Sequence, residues 1–297
     1  MTRKTSADFG PEVLEHFDAY VHGALSRRGF LGAVAKVVGG AVAAELILQQ
    51  LSPQFAAAQQ IPESDARIVA KRHEFPSPDG NGTVKGYLVT PAKTKETKKR
   101  AAVLVVHENR GLNPHIEDIA RRMALEDFIV FAPDALAPLG GYPGNEDKAR
   151  ELFGTLDQAR TRSDFVAAAR ALAGIDGGNG KVGVTGFCYG GGISNWLATQ
   201  LPELGAAVPF YGPAPTLADV PAIRAPLQLH FAEKDDRVNA SWPPYEEALK
   251  AAGKRYEAHT YPGTQHGFNN DTTPRYDEAA AKLAWTRSTA FLRKHLA

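Results

Sequence analysis

The chain has 297 residues, 43% of them hydrophobic and 23% charged, with 34 basic side chains against 33 acidic ones. A net charge of +1 leaves no electrostatic footprint for a nucleic acid or an anionic membrane surface. A single cysteine excludes an intramolecular disulfide, a CxxC redox pair and a thiolate zinc ribbon.

The first 60 residues read differently from the rest. A polar lead runs to Leu25, and Ser26-Arg27-Arg28-Gly29-Phe30-Leu31 then opens an Ala/Val/Gly-rich stretch to about Leu48. Ala56-Ala57-Ala58 follows, with the small side chains that a signal peptidase accepts. Adjacent arginines followed by Phe-Leu resemble a twin-arginine export signal. Residues 1–60 are therefore expected to be an export signal and linker that engage the twin-arginine machinery and send the protein to the periplasm or beyond. Glu45 inside the apolar stretch argues against a spanning anchor. It also keeps open a second reading, an N-terminal amphipathic helix packed on the domain of a protein that stays in the cytoplasm.

From Arg67 onward the pattern alternates strand and helix. Arg67–Phe75 and Thr83–Val89 flank a turn-rich Pro76–Gly82 segment, a hairpin signal. Lys93–Arg100 is a basic run read as a solvated loop. Ala101–His107 (AAVLVVH) is an unbroken apolar run, as in a strand buried on both faces of a parallel sheet. A helix is expected over Ile116–Leu125 and strands over Phe128–Ala132, Val182–Thr185, Ala206–Phe210, Leu227–Phe231 and Arg255–Tyr261. Helices fill Asp147–Ala173, Gly191–Leu201, Tyr245–Ala252 and Tyr276–His295. The expected fold is α/β, a doubly wound and mostly parallel sheet in a single domain over residues 61–297, with little or no lid.

Chemistry enters at Lys181-Val182-Gly183-Val184-Thr185-Gly186-Phe187-Cys188-Tyr189-Gly190-Gly191-Gly192. A strand of small apolar residues runs into G-x-C-x-G and then into a helix. A nucleophile at such an elbow sits in a strained backbone conformation, and side chains two places to either side would clash. The following helix N-terminus favours a thiolate at Cys188, and the Tyr189 amide would face a developing oxyanion. In this motif the acid and then the base follow the nucleophile along the chain. His230 and His259 fall within apolar strand patterns and His295 in the C-terminal helix. His266 lies in a loop just past the last strand, where a base belongs. The acid should follow Leu227–Ala232, where Asp235 and Asp236 both qualify; Asp235 opens a D-x-x-V turn with Val238.

Gly186-Phe187-Cys188-Tyr189-Gly190-Gly191, Glu233-Lys234-Asp235-Asp236-Arg237-Val238, Gln265-His266-Gly267-Phe268 and Val106-His107-Glu108-Asn109-Arg110-Gly111 together resemble the dienelactone hydrolase (carboxymethylenebutenolidase) family of α/β-hydrolases, from about Val84 to the C-terminus. The resemblance implies a Cys188–Asp235–His266 triad, an oxyanion hole from the Tyr189 and Asn109 amides, and a Glu108 carboxylate that contacts the resting cysteine. The implied substrate is a small ester or lactone, opened through an acyl-cysteine intermediate without a cofactor. Members that cleave dienelactones hold the substrate carboxylate with arginines, one of them four residues beyond the catalytic histidine. Asn270 stands at that position here, so Arg150, Arg275, Asn270 and Tyr142 are the candidate substrate contacts. Rival readings are a carboxylesterase or thioesterase of other specificity, and a non-hydrolytic redox-sensing thiol protein. His107, Glu108, His115 and Glu117 are close in sequence but form no HExxH pattern, so no metal is expected; His115 and Glu117 are read as capping or solvent-facing.

Overall fold

The computed structural model describes residues 4–92 and 98–297, so most of the basic run at Lys93–Arg100 lies outside the described residues. Eight strands form one sheet in the order β1-β2-β4-β3-β5-β6-β7-β8. The strands are β1 (Ile68–Ser77), β2 (Gly82–Pro91), β3 (Arg100–Val106), β4 (Ile129–Pro133), β5 (Gly178–Phe187), β6 (Ala206–Phe210), β7 (Leu227–Lys234) and β8 (Tyr256–Gln265). β2 runs antiparallel to both β1 and β4, and every other pairing is parallel. The expected hairpin at Pro76–Gly82 joins the edge strand β1 to β2, and β1 buries Ile68 and Phe75 while Val69 faces out, as a half-covered edge requires.

The central strands read as continuous apolar runs because helices cover both faces. Along β3, Leu104 and Val106 point into one core and Val103 and Val105 into the other. Around these strands the helices are α1 (Pro11–Val21), α2 (Arg27–Val38), α3 (Ala41–Leu51), α4 (Phe55–Ala58), α5 (Pro114–Leu125), α6 (Glu146–Gly154), α7 (Gln158–Ala173), α8 (Tyr189–Gln200), α9 (Asp236–Asn239), α10 (Trp242–Ala251) and α11 (Glu278–Leu296). α7, α8 and α10 pack on the first face through Phe165, Leu197 and Leu249. α5 and α11 pack on the other through Ile116, Met123 and Phe291. The helical stretch expected over Asp147–Ala173 is two helices. α6 ends at Gly154, and Asp157 restarts the chain by accepting hydrogen bonds from the Ala159 and Arg160 amides.

The N-terminal segment is folded against this domain. Phe17, Tyr20, Phe30, Val34, Leu48 and Leu51 from α1, α2 and α3 make a small core of their own. Gly39 and Gly40, both at positive φ, bend α2 from α3 by 115°. No single helix among the described residues is long and apolar enough to cross a membrane. Exposed Arg27 bonds Glu45 and Asp147, tying the segment to α6.

The elbow glycines answer to space. A Cβ on Gly190 would lie 2.2 Å from the Val106 carbonyl oxygen, and one on Gly186 would lie 2.2 Å from that of Gly190. Both obstacles are backbone, which cannot swing aside. Gly190→Ala should cost about 3 kcal/mol or more, lowering the melting temperature by roughly 6–12 °C. Gly154→Ala, which meets nothing within 4 Å, should melt at or slightly above wild type; equal melts for the two variants would refute the packing argument.

Candidate active site

The site forms where β3, β5, β7 and β8 end. Cys188 lies between β5 and α8 with φ 55° and ψ −112°, a strained conformation for a residue with a side chain. Its amide donates to the Phe210 carbonyl at 3.1 Å, which pins the elbow to the neighbouring strand. His266 follows β8 directly, and Asp235 follows β7 at the start of α9.

His266 Nδ1 lies 2.6 Å from Asp235 Oδ2, with both side chains buried. Asp235 Oδ1 accepts from the Val238 amide at 3.3 Å, the bond expected of the D-x-x-V turn. Asp236 points to solvent, so the geometry brings Asp235 and not its neighbour to the histidine. Cys188 Sγ and the facing nitrogen of His266 lie within 4.8 Å.

The electrostatics of the pair are reciprocal. Burial alone would keep the Cys188 thiol neutral, but the His266 charge and hydrogen bonds from His22 and His266 bring it down to about 5. Burial also opposes charge on His266, yet the Cys188 thiolate and the Asp235 carboxylate lift it to about 10. Each group therefore favours the charged form of the other, thiolate beside imidazolium.

Other expected residues fare variously. Glu108 lines the same pocket, but Asn270 Nδ2 donates to it at 3.0 Å. The sulfur is partnered by His22 and His266 instead. Tyr189 opens α8, where first-turn amides have no intrahelical acceptor. The Asn109 side chain donates to the Val21 carbonyl at 3.1 Å. Arg275 and Asn270 line the pocket. Arg150 is turned to the Tyr20 carbonyl and ring, on the N-terminal segment. Tyr142 lines a separate surface depression with Arg72 and Lys85 and bonds Glu146 at 2.8 Å. His230 is a satisfied sheet residue, bonded to the Tyr261 hydroxyl at 2.8 Å. His115 corrects the expectation of a capping or solvent-facing residue. It is buried, 3.3 Å from Asp271, and Asn113 caps α5 in its place. Glu117 pairs with Arg72.

What sequence reasoning missed is His22. Just past α1, its Nε2 lies 3.5 Å from Cys188 Sγ and 3.3 Å from His266 Nε2. Its Nδ1 donates to the Asp18 carbonyl at 2.8 Å. Arg110 donates to the Val21 carbonyl at 3.1 Å, and Arg275 to the Asp18 carboxylate at 3.3 Å. The cover over the site is thus the N-terminal segment rather than an inserted lid. It leaves a cavity of about 60 Å³.

A mostly parallel eight-stranded sheet with a strained elbow after β5, a carboxylate after β7 and a histidine after β8 defines an α/β-hydrolase. Residues 84–296 match the family model of the dienelactone hydrolase family. Residues 1–39 match a second model, described as YqhI-like. Protein usf of Aquifex pyrophilus is 35% identical over 232 residues, 72% of this chain and 94% of that protein. A Saccharolobus solfataricus protein provisionally named carboxymethylenebutenolidase is 30% identical over 260 residues, 73% of this chain and 96% of its own. A crystal structure from Klebsiella pneumoniae, provisionally named a dienelactone hydrolase, superposes with a TM-score of 0.67 at 27% identity, covering 76% of this chain and 99% of that one. The chain belongs to the dienelactone hydrolase family.

Cys188 is the only thiol, so its ionisation can be read by alkylation. The iodoacetamide rate should rise with pH through a midpoint near 5, and His266→Ala should move that midpoint to roughly 8.5 or above. A wild-type midpoint of about 8 or higher would show that no thiolate–imidazolium pair exists.

Proposed function

We propose that this chain hydrolyses small carboxylic esters or lactones through Cys188, His266 and Asp235. The observation that carries the reading is the contact chain from Asp235 through His266 to a buried, ionised thiol at a strained elbow. Cys188 Sγ attacks the carbonyl carbon, and the oxyanion takes hydrogen bonds from the backbone amides of Tyr189 and Asn109. His266 gives its proton to the departing alkoxide, leaving an acyl-cysteine. The neutral imidazole then draws a proton from water as the water attacks the thioester, and the acid and the thiolate are released. Asp235 holds the imidazole in one orientation and stabilises its cation.

A redox-sensing thiol protein would need the lowered thiol but has no task for Asp235, so the hydrolase is favoured. Asn270 bonds Glu108 and so gives a dienelactone carboxylate no cation there; a broader class of small esters is the better-supported substrate. The covered cavity of about 60 Å³ is far below the ~300 Å³ of an ordinary ligand pocket. The N-terminal segment must lift or be removed before substrate enters.

Cys188→Ala should reduce p-nitrophenyl acetate hydrolysis to background without changing the melt. Asp235→Asn should lower kcat roughly 10³–10⁴-fold, while Asp236→Asn stays within about two-fold, as surface substitutions do. Retained turnover in Cys188→Ala would end the proposal.

We also infer that residues 1–60 serve as a twin-arginine address. The Arg27–Arg28 pair is exposed on the start of α2, and an apolar stretch of moderate length follows it. Cleavage near Ala56–Ala58 would take His22 away with the segment. A C-terminally tagged chain should appear in the periplasmic fraction, shortened at its N-terminus, and Arg27→Lys with Arg28→Lys should hold it in the cytoplasm. Equal distribution of the two forms would refute the export reading.

A further inference from the structure

His22, Cys188 and His266 come from three distant places: the end of α1, the elbow, and the loop after β8. Their ligand atoms nonetheless converge within 4.8 Å of one another. The separations are informative. Tetrahedral zinc, with bonds of about 2.05 Å to nitrogen and 2.3 Å to sulfur, has N···N edges of roughly 3.3 Å and S···N edges of roughly 3.6 Å. Here His22 Nε2 and His266 Nε2 are 3.3 Å apart, and His22 Nε2 and Cys188 Sγ are 3.5 Å apart.

The outer groups fit as well. Imidazoles that bind metal donate their other ring N–H to a carboxylate or a carbonyl, which fixes the ring and raises its basicity. His266 Nδ1 faces Asp235 at 2.6 Å. His22 Nδ1 faces the Asp18 carbonyl at 2.8 Å and its carboxylate at 3.2 Å. Both rings therefore turn the remaining nitrogen toward the sulfur.

We propose that His22, Cys188 and His266 form a binding site for a thiophilic divalent cation of the zinc type, which clamps the N-terminal segment over the pocket and silences the thiol. Sulfur and imidazole ligands select zinc, cobalt or nickel over magnesium or calcium. The fourth position is open to water. Arg237 opposes the cation from α9, with its guanidinium 2.9 Å from His22 Nε2. It is exposed and can swing into solvent as the metal enters. Of the other cations lining the pocket, Arg275 is paired with Asp18 and Arg110 donates to the Val21 carbonyl. The site stands on ligand geometry, independent of whether Cys188 turns over an ester.

The test is cobalt spectroscopy and zinc calorimetry on the full-length, uncleaved chain at pH 8. Cobalt(II) should give a sulfur-to-metal charge-transfer band and the intense visible absorption of a tetrahedral site, with one zinc bound per chain. His22→Ala should weaken zinc about 100-fold or more, Asp18→Asn about 10-fold, and His22→Cys, which keeps a ligand, should restore most of the affinity. Zinc should inhibit ester hydrolysis at concentrations that track these affinities. Absence of a charge-transfer band, or equal zinc affinity in wild type and a folded His22→Ala, would overturn the site. Binding without any ester turnover would leave the metal site standing and refute the hydrolase reading instead.

Discussion

The buried contact between Cys188 and His266, in which each group draws the other toward its charged form, is what the rest of the site depends on. Neither charge would persist alone at that depth, because burial penalises both. Each is stabilised by the other, and Asp235 holds the imidazole from behind at 2.6 Å. The sheet supplies the rigidity that this requires. β5, β7 and β8 belong to one parallel array, with β6 lying between the first two, so three loops that carry the three groups open on the same edge. The elbow glycines let α8 approach β3 and β6 closely enough to fix the sulfur there.

The N-terminal segment changes how that site should be viewed. In the closed arrangement His22 touches both halves of the pair, and the Val21 and Tyr20 carbonyls occupy the Arg110 and Arg150 guanidinium groups. Cations that could hold an anionic substrate are thus engaged by the chain's own backbone. The segment has its own small core, so it covers the pocket as a preformed piece. That arrangement gives the second reading of residues 1–60, packing on the domain, a physical basis without excluding the proposed role in export.

Much of the domain was legible from residue pattern. The AAVLVVH run became β3, with alternate residues in two cores, as a strand buried on both faces must. The G-x-C-x-G elbow was legible because only glycine tolerates backbone at 2.2 Å from its Cβ position. The sequence left the break between α6 and α7 unplaced, because Gly154 and Asp157 fall within a single polar stretch. His115 escaped because its charge partner, Asp271, is distant in sequence. The D-x-x-V turn favoured Asp235 in sequence but left Asp236 as a rival, since adjacent residues differ chiefly in the direction the backbone turns them.

By itself, the sequence determined the α/β domain and the family, and it singled out Cys188 and His266 as the candidates for the chemistry. These rest on local patterns: period, glycine spacing and the order of elements along the chain. Only the tertiary structure decided which aspartate reaches His266 and where the four candidate substrate contacts point. It alone placed His22 3.5 Å from a sulfur 166 residues away. Such contacts depend on how separately folded elements pack, and no local spacing in the chain encodes that distance.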